Sequence, residues 1–398
     1  MPETLAFVVP WYGAAIPGGA EAECRATVRA LQRRGVPVEV LTTCARDHAS
    51  GWGDHHPDGA REEDGVLVRR FKVRPRDPER YARLQWRLDL GGTLTSFEEE
   101  DFVRESINSN DLYAYLAAER DRYWYAFIPY CFGTTWEGAL IAPERSLLVP
   151  CLHDEPFARL KWTRRVLRAV RAVCFHVPAE RALGEALAGA DPARFHVVGE
   201  GVDPPPPGEA ARFRRQHRVL APFLLYAGRK AAEKNTPLLV EYFARYRLTH
   251  PKAPRLQLVL IGPGGVRIPP RLSADILDLG FVSAQDKADA YAAALAVCQP
   301  SRLESFSLVL MEAWLAGTPV LVHGGCPVTR EHCLASNGGL FFDDYFEFAE
   351  ALDRLAADPA LRRRLADSGR AYVEARYTWD RVTDSYLAVL SALGARLG

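Results

Sequence analysis

Short apolar runs alternate with amphipathic stretches along most of the chain. Residues 5–9, 36–41 and 66–73 read as strands, and between the first two lies a helix that buries Cys24, Val28 and Leu31 and ends at Gly35. Further strands are predicted at 126–129, 146–150, 172–175 and 195–198, with a helix over 179–187. Strands at 223–227, 256–261, 295–298 and 319–322 follow, again separated by helices. In the helix after 223–227, Thr236 reads as the N-cap and Pro237 as the first helical residue, with Leu239, Tyr242, Phe243 and Tyr246 buried. This rhythm predicts βαβ units around parallel sheets. Two stretches break it. Residues 45–65 are polar and rich in His, Gly and Asp, and read as a surface loop rather than a metal site at His48, His55 and His56. Residues 75–125 carry Tyr81, Trp86, Phe97, Phe102, Tyr113, Tyr115, Tyr123, Trp124 and Tyr125, whose rings suit either sugar stacking or helix packing. Pro204 to Pro207 form a stiff extended connector.

The candidate chemistry concentrates at 300–319. The preceding strand turns at Pro300-Ser301 and leads into an apolar helix that Gly317 and Pro319 end. A loop delivered to a helix N-terminus makes an anion site, because free N–H groups and the helix dipole act on one spot. Ser305 and Ser307 are predicted caps. Glu304 and Glu312 lie about two helical turns apart and so share roughly one face. Glu312, among Leu308, Val309, Leu310, Met311, Trp314 and Leu315, is expected to be partly buried with a hydroxyl or amide partner. Elsewhere, Gly18-Gly19 precedes a helix, and His153 follows a strand where open α/β sheets place ligands. Asp154 could orient His153 or cap the next helix. Arg229 and Lys234 stand on a strand–helix loop.

Glu304 and Glu312 with Ser305, Phe306 and Ser307 between them resemble the E-x7-E element of the retaining glycosyltransferases of family 4. Gly18-Gly19-Ala20-Glu21, His153-Asp154, Gly199 to Asp203, Gly228-Arg229 with Lys234-Asn235, and Gly262 to Gly265 resemble that family's other elements in order. The resemblance spans about three-quarters of the chain and is weakest over 75–125. It implies an α/β chain of GT-B class: two facing Rossmann-like domains, 1–205 and 206–376, a cleft between them, and a helix at 377–398 crossing back to the first, anchored by Trp379 and Tyr386. It further implies that Arg229 and Lys234 clamp the donor diphosphate and that Glu304 meets the sugar hydroxyls and Glu312 the ribose. The loop at Gly18 and Gly19 would face the diphosphate. Backbone at Ser305, Phe306, Ser307 and Leu308, with Gly262, Phe281 and Val282, would complete the donor site, and His153 would lie beside the donor sugar. The implied reaction moves a hexose from a nucleoside diphosphate sugar, UDP or GDP, to a hydroxyl acceptor with α-linkage by front-face substitution, with no metal and no other cofactor. The acceptor would be a glycan, a glycolipid or a small molecule.

Composition adds bounds. The 398 residues suit two or three domains, and 50 Lys and Arg against 50 Asp and Glu give no nucleic-acid footprint. Eight scattered cysteines suggest reduced core thiols in a cytoplasmic protein, and no apolar run is long enough to span a membrane. The Arg-rich segment 159–171 offers at most a weak peripheral membrane contact and reads better as a solvated helix face. His323 reads as a loop residue. A hydrolase or phosphorylase is disfavoured because two carboxylates on one helix cannot straddle a sugar, and a dehydrogenase because the dinucleotide fingerprint is not clean. A non-catalytic nucleotide-sugar binder is the remaining rival.

Overall fold

The computed structural model describes residues 3–14, 16, 18–189, 191–250 and 255–397. The chain divides into two units, Met1–Gly201 with Trp379–Gly398, and Val202–Thr378.

The first unit runs β1 (Thr4–Val9), α1 (Gly19–Arg33), β2 (Val38–Thr43), β3 (Gly59–Glu63), β4 (Val66–Phe71), α2 (Pro78–Asp89), α3 (Ser96–Arg104), α4 (Asn110–Ala118), β5 (Tyr123–Phe127), α5 (Gly133–Trp136), β6 (Ser146–Leu148), α6 (Lys161–Ala169), β7 (Ala172–Phe175), α7 (Pro178–Ala188) and β8 (Phe195–Val197). Its sheet has the order β3-β4-β2-β1-β5-β6-β7-β8. All neighbours pair in parallel except β3 with β4. The central strands are buried on both faces, which is why they read as continuous apolar runs.

Part of the predicted loop at 45–65 is therefore a strand. Gly59–Glu63 is exposed along the sheet edge and carries no apolar alternation that could announce it. The stretch 75–125 resolves into α2, α3, α4 and β5, which begins three residues before the apolar run at 126–129. Thr95 and Glu98 form a capping box at α3. Tyr81 stacks on Phe102 with centroids 4.6 Å apart, so helix packing claims these rings, while Trp86 and Phe97 stay exposed.

The second unit runs α8 (Ala210–His217), β9 (Phe223–Ala227), α9 (Thr236–Thr249), β10 (Gln257–Ile261), β11 (Ile276–Asp278), α10 (Ala284–Ala293), β12 (Ala296–Gln299), α11 (Leu308–Leu315), β13 (Val320–His323), α12 (Pro327–Ser336), β14 (Gly339–Phe342), α13 (Tyr345–Ala357) and α14 (Pro359–Arg376). Its sheet is wholly parallel, in the order β11-β10-β9-β12-β13-β14. This is the doubly wound Rossmann order, reversing between β9 and β12. His323 ends β13 and is buried, against the expectation of a loop residue.

The last helix, α15 (Trp379–Ala392), belongs to the first unit, as expected. Val382, Tyr386, Val389 and Leu390 pack into the core built on Leu5, Phe7, Val9 and Trp124. The Trp379 ring lies 2.3 Å from where a Cβ on Gly201 would stand, so only glycine fits there.

Candidate functional site

In the second unit the strand order reverses between β9 and β12, where open sheets of this kind bind ligands outside the strands' C-terminal ends. Both strands deliver candidate residues. After β9 the chain turns at Gly228, and the Tyr226 hydroxyl donates to the Arg229 carbonyl at 2.7 Å. Lys230 turns inward. It is buried, bonds the Gly262 carbonyl and lies 2.9 Å from Asp278. One lysine thus ties together the turns after β9, β10 and β11. Gly262 adopts φ 119°, and a Cβ there would stand 2.1 Å from the Gly228 oxygen. Arg229 is exposed and pairs with Glu233 at 2.5 Å. Lys234 pairs with Glu304 Oε1 at 2.7 Å, with the carboxylate largely buried. Asn235, at φ 57°, takes the N-cap position of α9 in place of the expected Thr236, but its side chain makes no cap bond and donates instead to the Pro300 carbonyl at 3.0 Å. The loops after β9 and β12 are therefore linked twice.

The helix after β12 begins at Leu308, so Glu304 lies in the loop ahead of it and does not share a helical face with Glu312. Ser305 and Ser307 do not cap. Ser307 sits at φ 79°, and its Oγ is buried with no hydrogen-bond partner among the described residues. The N-terminus of α11 receives no side-chain cap. Phe306 points into the core, edge-on to His332 and Tyr377. Burial pushes the His332 imidazole down to about 3, so the ring is neutral. Its Nε2 lies 3.1 Å from the Phe306 carbonyl, which can only accept, so that nitrogen carries the proton and Nδ1 accepts from the Tyr372 hydroxyl. The strained loop is thus held from behind by a fixed tautomer.

Glu312 has the expected hydroxyl partner, Tyr291 at 2.7 Å, and also Lys287 at 2.7 Å. Burial, and then the Glu312 carboxylate, push the Tyr291 phenol well up. Phe281 is exposed beside the Gly280 turn, whose carbonyl accepts from Gly262 N–H at 2.7 Å, and Val282 is half-buried.

In the first unit, Gly18 adopts φ 143° and Gly19 opens α1. The Glu21 carboxylate accepts from the Trp11 indole and lies where a Cβ on Gly18 would fall. His153 is half-buried, with Nδ1 3.6 Å from Glu155, which accepts from the Tyr130 hydroxyl at 2.6 Å. Asp154 neither orients His153 nor caps a helix, since it pairs with Arg159. In α6 the apolar Val166 and Leu167 are buried, leaving Lys161, Arg164, Arg165 and Arg168 toward solvent.

Residues 209–372 match the family model for glycosyl transferases group 1. A D-inositol 3-phosphate glycosyltransferase of Kineococcus radiotolerans is 31% identical over 395 residues, covering 90% of this chain and 87% of that protein. The chain belongs to the glycosyl transferases group 1 family. The alpha,alpha-trehalose 6-phosphate synthase of Burkholderia multivorans shares the fold, with a TM-score of 0.75 at 16% identity over 99% of this chain and 97% of that one. So does Anabaena HepE in complex with UDP and glucose, with a TM-score of 0.68 at 17% identity over 98% and 100% of the two chains. The transferase is a GT-B enzyme that moves a sugar from a nucleoside diphosphate sugar to an acceptor.

Lys230, Lys287 and Tyr291 were not flagged by the sequence pattern. Lys287 and Tyr291 stand four apart on α10, a spacing that puts both on one face. Lys230 carried no such signal, because a lysine in a loop reads as solvated.

Proposed function

We propose that the transferase is a retaining hexosyltransferase whose donor, a UDP or GDP sugar, binds on the second unit. The observation that carries this is the pair of loops after β9 and β12, joined by Lys234–Glu304 and Asn235–Pro300 at the reversal of strand order, with the uncapped α11 terminus alongside.

In this reading the α11 N–H groups at Ser307 and Leu308, with Arg229 and Lys234, hold the diphosphate. Glu304 meets the sugar hydroxyls, Glu312 the ribose diol, and the backbone at Phe281 and Val282 the base. The bond from C1 of the sugar to the β-phosphate oxygen breaks as the acceptor oxygen bonds C1 on the same face. The acceptor proton passes to the leaving phosphate oxygen, so the α-configuration is kept. Negative charge grows on that phosphate, and Arg229 and Lys234 stabilise it without a metal. His153 positions the sugar and the acceptor hydroxyl. An inositol phosphate is the first acceptor to test, because the relatives of 27–33% identity carry that name.

We place the activity in the cytoplasm. The basic α6 face gives at most a weak hold on an anionic membrane, since its apolar side is buried. No described helix is long and apolar enough to cross a membrane. The test is transfer from a panel of nucleoside diphosphate sugars to inositol phosphates and simple glycosides, with anomeric configuration read by NMR. An α-linked product supports the reading, and an inverted product ends it.

A further inference from the structure

The C-terminal edge of the first unit's sheet holds a cluster, buried except for the half-buried Cys151, that the proposed reaction does not call on. It draws on segments far apart in sequence: Glu23 on α1, Cys151 after β6, His176 after β7, Glu180 in the first turn of α7, and Glu200 after β8. Glu23 is 4% exposed, and the His176 and Glu180 side chains are fully buried. Glu23 places one oxygen 2.6 Å from His176 Nε2 and accepts from Cys151 Sγ at 3.3 Å with the other. Cys151 holds φ 52°, a left-handed backbone that a non-glycine residue adopts only at a cost. Ligand atoms of Glu23, Cys151 and His176 all lie within 4.8 Å of one another, and among the described residues they are the group that does so.

The remaining contacts fit a support shell. His176 Nδ1 lies 3.0 Å from Glu180 Oε2. Glu180 in turn accepts from the Leu152 and His176 backbone N–H groups at 2.6 Å each, at the α7 N-terminus where a carboxylate is favoured. A carboxylate on the far nitrogen is the partner a metal-bound histidine usually has.

Charge points the same way. Glu180 is accommodated by its helix terminus, but Glu23 and Glu200 share the interior with a single imidazole. A divalent ion with one carboxylate, one thiolate and one neutral imidazole is an electrically neutral unit, which a low-dielectric interior tolerates best.

We propose that Glu23, Cys151 and His176 form a structural site for a divalent transition metal, with zinc the best match to an O, S and N donor set. Oxygen-preferring magnesium and calcium fit poorly, because two of the three ligands are sulfur and nitrogen. A water completes four-coordination. Loading displaces the Cys151 thiol proton and the proton shared by Glu23 and His176, and takes place as the unit folds, since Glu23 and His176 are buried and Cys151 is half-buried. The ion would tie α1, which opens at the Gly18-Gly19 turn, to the segment that carries His153, two residues past Cys151.

The test uses the full chain, purified without a polyhistidine tag and refolded with zinc or with cobalt(II). Wild type is expected to retain near one equivalent of metal through gel filtration, and the cobalt form to show a thiolate charge-transfer band in the near ultraviolet. C151S, close in shape to the native residue, is expected to lose the band and most of the metal. H176Q is expected to lose both as well, and C151S decides the matter if H176Q does not fold. Wild type holding no more metal than a buffer blank, or C151S holding as much as wild type, overturns the proposal and leaves a metal-free buried ion triad.

Discussion

Replacing Lys234 by methionine separates the two roles its ion pair could have. The ammonium bonds Glu304 at 2.7 Å, with side chains 28% and 11% exposed, so the pair is mostly shielded from water. A hydrogen bond to a charged group contributes about 1.5–3 kcal/mol, and removing one partner strands the other. K234M is therefore expected to destabilise the second unit by about 2 kcal/mol, or roughly 4–8 °C in Tm at this unit's size. If Lys234 also stabilises the leaving phosphate, kcat falls by about 10²–10³, the usual cost of one transition-state donor. The double variant K234M/E304Q decides between the roles. Removing the stranded charge should restore most of the lost Tm, while kcat stays low. The assays are thermal unfolding and initial-rate transfer kinetics on both single variants and the double. Wild-type kcat/KM in K234M, or recovery of rate together with stability in the double variant, would refute the reasoning.

Four further outcomes follow from the same contacts. G262A should cost several degrees of Tm, because its Cβ would stand 2.1 Å from the Gly228 oxygen at a φ of 119°, whereas G265A, with open space around its Cβ, should be near neutral. Y291F removes one bond to Glu312 and should weaken donor binding about 3- to 10-fold by calorimetry, matching about 1 kcal/mol, with little effect on Tm. His332 is held neutral down to about pH 3, while in the unfolded chain it titrates near 6.5. Its contribution to stability is therefore full above about pH 6.5 and declines by up to roughly 1.4 kcal/mol per pH unit below that, as the unfolded state takes up a proton that the folded state refuses. Tm measured from pH 7 to 4 should fall less steeply in H332N than in wild type, and equal slopes would count against a buried neutral ring. W379A empties the space under Gly201 and should cost the first unit about 3 kcal/mol by chemical denaturation.

The fold was legible where burial wrote continuous apolar runs, as in β1, β2, β9, β10 and β13. It was not legible at β3, an exposed edge whose Gly-Ala-Arg-Glu-Glu has no alternation, nor at the true start of β5, whose Tyr123, Trp124 and Tyr125 could equally have been helix-packing rings. The candidate loops were found because Gly, Arg, Lys and Glu stand at strand ends in a recurrent spacing. Their inner wiring was hidden. Ser307 reads as an N-cap, but its left-handed backbone moves the hydroxyl away from that role. Glu304 reads as helical by its distance from Glu312, yet the turn at Ser307 delays the helix to Leu308. Asp154 is drawn off by Arg159, a contact across a 3-10 turn that no local rule weighs against His153. The cluster of Glu23, Cys151 and His176 is spread over more than 150 positions, so no ligand spacing could reveal it.

The most direct measurement is isothermal titration of the wild-type transferase and of E312A with UDP, GDP and their hexose conjugates. The account predicts that one nucleotide series binds wild type and loses about tenfold or more in affinity in E312A, the loss expected of a charged hydrogen bond. It also predicts that the sugar conjugate binds more tightly than the bare diphosphate. Binding of no nucleotide, or equal affinity in E312A, would contradict a donor site built on the loops of β9 and β12.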